Sequence, residues 1–372
     1  MRPVSSKAQK HLGAGKGCAC ACSVFRVQRS KEKIMLHTKS LFVKDIHEKD
    51  QIHSVFLVKF SAVAVGKTGK PYMNVVLMDK TGEIDARIWS DVNQYAGQIV
   101  NDAFVAVEGR CQLYQNKRQL VIDLIEVVRE DEINLGDFLV EAKIDAKVLY
   151  GKLLGYVESM QDPHYKALAL AILRDDADVV DRIQRAPAAK SVHHAYPVGL
   201  LEHVISITGI LDHLAVHYSP GVDRDLLFMG GFLHDIGKLW ELSYDRLTEY
   251  TDAGRLIGHL VMGTELIDQK IRLLEATPGK IPGDKFPEDK RLHLKHVILA
   301  HHGELEYGSP KRPKSIEALI VHYVDDLDSK VNTIRSFIEQ DQTPGKWTAY
   351  HRGLERYFLK LVSVEKPTDS TR

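Results

Sequence analysis

Three things are scarce in this sequence, and each scarcity excludes something. Of four cysteines in 372 residues, Cys18, Cys20 and Cys22 alternate near the start and only Cys111 lies in the body of the chain. Alternating cysteines fit neither a disulfide framework nor a zinc knuckle, and a body with one thiol points to a reducing, cytoplasmic compartment. Long apolar runs are missing as well. None approaches the roughly 18 consecutive apolar residues of a membrane span, and the basic, small-residue-rich start is too broken for a signal peptide, so no membrane partner is expected. An excess of one charge is also lacking, since 50 Lys and Arg balance 50 Asp and Glu. Any polyanion must then be held by a local patch and not by the net field. Residues 1–40 read as a disordered extension, or as one added by a start codon placed too early, with Met35 the true start.

What is present divides by period. From Ile52 to Val128 apolar and polar residues alternate in strands broken by the turns Asp79-Lys80-Thr81-Gly82 and Gln115-Asn116-Lys117-Arg118. Five strands result, and the polar segment "SDVNQYAGQIV" between the third and fourth is suited to a short helix. That order matches an OB-fold, a Greek-key barrel that often holds single-stranded nucleic acid, over residues 41–130. Lys59, Lys70, Arg87 and Arg118 supply cations there, and Tyr72 and Trp89 supply flat rings. Single strands need both, cations for phosphates and rings for bases. The competing reading has Trp89 and Phe60 plugging the barrel while the lysines solvate it.

After Glu130 the spacing becomes three and four, so the rest is all-α: a helical connector over 131–187, then a domain over 188–365. The segment "EATPGKIPGDKFPEDKRLH" reads as a surface loop before a helix carrying His296 to His302. Histidine is plentiful here, with most of the 18 between His193 and His322. In "GGFLHDIGKLW", Gly230 and Gly231 allow close helix packing, Gly237 suits a helix end, and His234 with Asp235 would project between helices. A buried carboxylate beside an imidazole is costly unless compensated, and a cation compensates it. His203, His259, His301, His302 and Asp325 sit in similar apolar helical surroundings. One such histidine is ordinarily a satisfied core residue, whereas five with two aspartates point to a metal site.

The series His203, His234-Asp235 and Asp325 resembles the H…HD…D signature of the HD-domain phosphohydrolases, and His259 with His301-His302 resembles the members with two metals. The strings "FLVK", "GKPY", "DKTGEIDARIW", "HHAYPVGLLEHV" and "HDIGK" are similar to the YhaM-type 3′→5′ exoribonucleases, which join an OB-fold to an HD domain. The resemblance spans roughly residues 41 to 362. It implies two divalent ions, with manganese or cobalt favoured and iron or zinc compatible. It assigns His203, His234, Asp235 and Asp325 to one ion, and His259, His301 and His302 to the other, with Asp235 shared. Lys238 would contact the scissile phosphate, the other reading being a solvated lysine at a helix end. His193 and His194 would contact substrate phosphate, or else cap or pack. Asp325 is preferred as ligand over its neighbours Asp326 and Asp328.

The implied activity is removal of nucleotides from the 3′ end of single-stranded RNA, with single-stranded DNA as a further substrate and a homo-oligomer compatible. Two alternatives belong to other classes. One is an HD-type hydrolase of nucleotides or cyclic dinucleotides, weakened because Ser309 in "HHGELEYGSP" stands where that element has tyrosine. The other is a single-strand-binding protein with a structural metal site.

Overall fold

The computed structural model describes residues 38–66, 69–115, 117–139, 144–190, 196–341 and 343–360. They fall into two compact units divided at Leu139/Val140.

In the first unit the strands are β1 (Gln51–Val65), β2 (Pro71–Asp79), β3 (Gly82–Ile88), β4 (Phe104–Tyr114) and β5 (Lys117–Val128), with a short helix α1 (Val92–Tyr95) between β3 and β4. They close into a barrel in the order β1-β2-β3-β5-β4, which is the OB-fold arrangement. Closure depends on the length of β1, whose first half pairs with β4 and whose second half pairs with β2. A bulge at Gly109 brings β4 so close to β5 that a Cβ there would lie 2.2 Å from the Val121 carbonyl. Strand alternation decides the faces: Met73, Val75 and Leu77 point into the barrel, Tyr72, Asn74 and Val76 away from it. The turn after β4 is tighter than the sequence suggests, because Lys117 and Arg118 already belong to β5.

A lysine closes one end of this barrel. Lys39 Nζ lies 2.6 Å from Asp79 Oδ2 and 3.8 Å above the Phe56 ring, and the two charged side chains are 3% and 0% exposed. Burial pushes the Lys39 pKa down to about 8 despite the neighbouring carboxylate. Phe138, fully buried, meets Phe104 edge-on, so the start of the expected connector belongs to the barrel.

The second unit is helical: α2 (Ala146–Glu158), α3 (Pro163–Leu173), α4 (Ala177–Ile183), α5 (Gly199–His217), α6 (Arg224–Leu233), α7 (Lys238–Glu241), α8 (Asp252–Leu256), α9 (His259–Glu275), α10 (Glu288–Ala300) and α11 (Ile316–Gln340). Leu153, Leu168 and Ile183 from α2–α4 share one core with Leu201, Phe228, Ile267, Ile298 and Val321. The expected connector therefore has no core of its own. Helix α5 is apolar and long enough to cross a membrane by length and composition, yet half of it is buried in this core. Its apolar character comes from the packing position.

Helix α6 is the central element. A Cβ at Gly230 would come within 2.8 Å of Val297 on α10 and 2.9 Å of Val321 on α11, and one at Gly231 within 2.8 Å of Leu211 on α5. Three ligand-bearing helices thus approach α6 at contact distance, as the paired glycines suggested. Two expectations are corrected. Gly237 has φ −63°, so it is no left-handed cap; its missing side chain instead admits the His259 backbone, whose carbonyl oxygen would lie 2.1 Å from a Cβ. The expected loop ends at Pro287, because Glu288 to His293 already form the first turns of α10.

Candidate functional site

The seven candidate ligands come from helix ends and from the faces of two helices. His203 stands on α5, His234 and Asp235 follow α6, His259 opens α9, His301 and His302 follow α10, and Asp325 lies on α11. The fold brings all seven together. His203, His234 and Asp325 place ligand atoms within 4.8 Å of one another, as do His234, Asp235 and His301, and again His259, His301 and His302. Asp235 lies between the outer groups, with Oδ2 3.4 Å from His234 Nε2 and Oδ1 3.5 Å from His259 Nε2 and 3.6 Å from His301 Nε2.

Four of the five imidazoles are aimed from behind. Asp328 Oδ2 lies 2.9 Å from His203 Nδ1, and Glu241 Oε1 lies 3.0 Å from His259 Nδ1. The backbone carbonyls of Gly231 and Ile298 accept from Nδ1 of His234 and His301 at 3.2 and 2.8 Å. With Nδ1 occupied, Nε2 of all four rings is directed into the cluster, which fixes tautomer and orientation. Asp328 and Glu241 escaped the sequence reading. The nearness of Asp328 to Asp325 in the sequence disfavours it as a ligand, although residues three apart along a helix share a face. Glu241 lies in no motif, and only its chain proximity to the "HDIGK" string hinted at it.

The polar inventory of the cluster does not close without a cation. Asp235 Oδ1, His259 Nε2 and His302 Nδ1 are buried and lack any hydrogen-bond partner. An orphaned buried polar atom costs about 1–3 kcal/mol, and three around one space are satisfied together by divalent ions. The donor set, imidazole nitrogens with carboxylate oxygens and no thiolate, suits first-row transition ions and does not resemble a closed structural zinc site. The residues fit the ions that the family resemblance implies.

Charge states agree with that fit. Burial pushes His301 and His302 below the ordinary imidazole range, so both are neutral and able to ligate. Burial opposes the ionisation of Asp235, but Lys238 and His234 outweigh it and hold the carboxyl well below the usual range. Asp325 is likewise lowered, burial being outweighed by its hydrogen bond to His203. At His203 burial acts downward, yet hydrogen bonds with Asp325 and Asp328 raise the pKa to about 9. Its Nε2 faces His234 Nε2 at 3.2 Å and Asp325 Oδ1 at 3.2 Å. Such an arrangement holds a proton where a cation would replace it.

Lys238 Nζ lies 2.6 Å from Asp235 Oδ2 and also lines the adjoining cavity of about 240 Å³. It is thus a half-buried, paired cation, unlike the solvated helix-end lysine of the competing reading. Ser309 is a structural staple whose hydroxyl donates to the Leu299 carbonyl at 3.0 Å. His193 and His194 lie outside the described residues.

On the barrel, Trp89 is 57% exposed and Phe60 43%, so neither plugs the interior. Trp89 stacks on Tyr72 with centroids 4.9 Å apart, and Arg87 stands beside them on the same outward face. The Arg87 guanidinium donates to the Ala86 carbonyl at 2.8 Å. Lys70 is exposed, whereas Lys59 is paired with Glu83. Arg118 is spent inside the unit: its guanidinium donates to the Val43 and Ile46 carbonyls and caps the turn before β1. The aromatic pair with Arg87 and Lys70 leaves a coherent face, and Arg118 does not belong to it.

Comparison with known proteins gives these two units their family. Residues 51–128 match the OB-fold nucleic acid binding domain and residues 200–330 the HD domain. A protein of Bacillus subtilis (strain 168) named 3'-5' exoribonuclease YhaM is 35% identical, over 87% of this chain and 97% of its own length. Proteins of the same name from Bacillus pumilus (strain SAFR-032) and Geobacillus sp. (strain WCH70) are 34% and 33% identical, over 89% and 84% of this chain and 98% and 93% of theirs. The identity thus runs through both units and across nearly the whole length of these relatives, and the chain belongs to the YhaM family of 3'-5' exoribonucleases.

Proposed function

We propose that the protein is a divalent-metal-dependent 3′→5′ exoribonuclease acting on single strands. The observation that carries this reading is the trio of buried, unpartnered atoms on Asp235, His259 and His302, gathered beside a cavity that a phosphate can enter. His203, His234, Asp235 and Asp325 would hold one ion, and His259, His301 and His302 the other with Asp235 shared. Manganese or cobalt suits this donor set best, and iron or zinc is compatible. When bound, such ions activate water and neutralise phosphate charge.

The chain's own residues do the rest. Lys238 supplies a fixed positive charge at the cavity wall, positioned against Asp235, where a phosphate oxygen gains charge during displacement. Glu241 and Asp328 hold the rings of His259 and His203 so that little reorganisation accompanies the reaction. Hydrolysis adds water across the terminal P–O3′ bond: the oxygen goes to phosphorus, and the leaving O3′ takes a proton. A nucleoside 5′-monophosphate departs, and the shortened strand again ends in a 3′-hydroxyl. The aromatic face of Tyr72 and Trp89, with Arg87 and Lys70, would hold the strand by stacking and phosphate contact. RNA is the proposed substrate, with single-stranded DNA as a weaker one.

The test is a gel assay on 5′-labelled RNA with manganese. A ladder shortening from the 3′ end, stopped by chelator and by Asp235→Ala, supports the reading. A reaction that continues in Asp235→Ala at the wild-type rate refutes it.

A further inference from the structure

The cavity beside the cluster is lined by two sets of residues, and only one of them serves the cations. Asp235, His301, His302 and Asp325 belong to the cluster. Tyr307, His322, Asp326 and Ser329 also face the cavity and hold no ion in the reading above. This second wall has two sources. Tyr307 ends the turn Leu305–Tyr307, and the others recur on α11 at helical spacing with Asp325, so one helix face presents both a ligand and the wall.

The wall is fixed relative to the cluster. His322 Nδ1 donates to the His301 carbonyl at 2.7 Å, and its ring lies so close over Gly303 that a Cβ there would be 2.2 Å from Cε1. Gly303, with φ +79°, has the one side chain that this contact tolerates. The turn carrying His301 and His302 is thereby pinned to α11.

Size, charge and surface then agree on an occupant. A volume of about 240 Å³ falls below the roughly 300–1,000 Å³ of pockets for drug-sized ligands, so it suits one nucleoside and not two. Asp326 places a carboxylate in the wall, and its Lys330 partner, 2.7 Å away, is not among the cavity-lining residues. A carboxylate accepts hydrogen bonds from hydroxyls and repels a second phosphate. Tyr307 is 70% exposed and offers a free ring face for a base.

We infer that this wall is the subsite for the 3′-terminal nucleoside: Tyr307 stacks on the base, and Asp326 accepts a hydrogen bond from a terminal ribose hydroxyl while rejecting a strand that ends in a 3′-phosphate. The inference rests on the exoribonuclease reading. It makes Asp326 a specificity residue, not a catalytic one, and it places end recognition on α11 beside the ligand Asp325.

The experiment compares kcat/KM of the full chain with manganese on two 5′-labelled RNAs that differ only in a 3′-hydroxyl or a 3′-phosphate. The wild type should prefer the hydroxyl by at least about tenfold. Asp326→Asn should narrow that ratio, chiefly by accelerating the phosphate-ended strand, a gain that a damaged fold cannot produce. Tyr307→Ala should raise KM on both RNAs and leave the ratio in place. A wild type indifferent to the end, or an Asp326→Asn ratio equal to wild type, overturns the inference. A wild type inert on both RNAs overturns the exoribonuclease reading instead, and that result is distinguishable from an unchanged ratio.

Discussion

Glu241 offers the sharpest test of how the site is held, because it touches no expected substrate atom and lies in no motif. Its carboxylate accepts from both the backbone N–H and Nδ1 of His259, each at 3.0 Å. Burial raises its pKa, but the hydrogen bond from His259 outweighs this and keeps it below the ordinary range, so the oxygen is charged. Glu241→Gln preserves the shape and an acceptor but removes the charge. A hydrogen bond to a charged group contributes about 1.5–3 kcal/mol and a neutral one about 0.5–1.5 kcal/mol, so the loss is roughly 1–2 kcal/mol. If that energy orients His259, affinity for the ion proposed to bind there should fall roughly 5- to 30-fold. Manganese titration by calorimetry, paired with activity at each metal concentration, measures it. The expected result is a weakened class of sites, a right-shifted activation curve and near-normal kcat at saturating manganese. Unchanged affinity, or a lost kcat that manganese cannot restore, would refute the argument that Glu241 acts through His259.

Asp328→Asn should act in the same way through His203, weakening metal binding roughly 10- to 100-fold; calorimetry again reads it. The metal-free chain should be less stable at pH 9 than at pH 6.5. The His203 pKa is raised to about 9, so its contribution is full below 6.5 and lost as pH rises through 9. At 1.36 kcal/mol per pH unit this is on the order of 3 kcal/mol by denaturant melts, and saturating manganese should abolish the trend. Lys39→Ala should cost about 3–5 kcal/mol in the barrel by leaving the Asp79 charge buried and unpaired, measured by thermal melting of the full chain. Trp89→Ala should weaken single-strand binding by about 1–3 kcal/mol in a fluorescence titration while leaving the metal content unchanged.

The strands and the histidine cluster were legible for different reasons. Alternation along β2 and β3 is set by a barrel with one dry face, so Met73, Val75 and Leu77 announce themselves. Glycines at 230 and 231 were legible because only close helix approach makes adjacent glycines worthwhile in a helix. Arg118 misled because composition records a charge but not its destination, and a guanidinium reaching back to Val43 and Ile46 leaves no local signature. Gly237 misled in the same way: a glycine after a helix is usually a cap, while here the partner is a backbone carbonyl more than twenty residues further along. Asp328 and Glu241 were missed because hydrogen bonds to the rear of a ligand require spatial proximity, not a spacing.

That last failure bears on how such a site is built. Ligands that come from five chain segments cannot be positioned by any one helix, and each imidazole would rotate freely if only its Nε2 were constrained. The constraint comes from Nδ1, and two of its four partners are backbone carbonyls three residues earlier in the same turn. Those two rings, His234 and His301, are aimed by the helix ends that carry them, independently of any other side chain. The other two, His203 and His259, stand at a helix interior and a helix start, and both recruit a carboxylate at Nδ1. His203 and His259 thus depend on an acidic partner, whereas His234 and His301 do not. It follows that substitutions of Asp328 and Glu241 should weaken the site through one ring each, whereas His234 and His301 should keep their aim as long as α6 and α10 keep their ends.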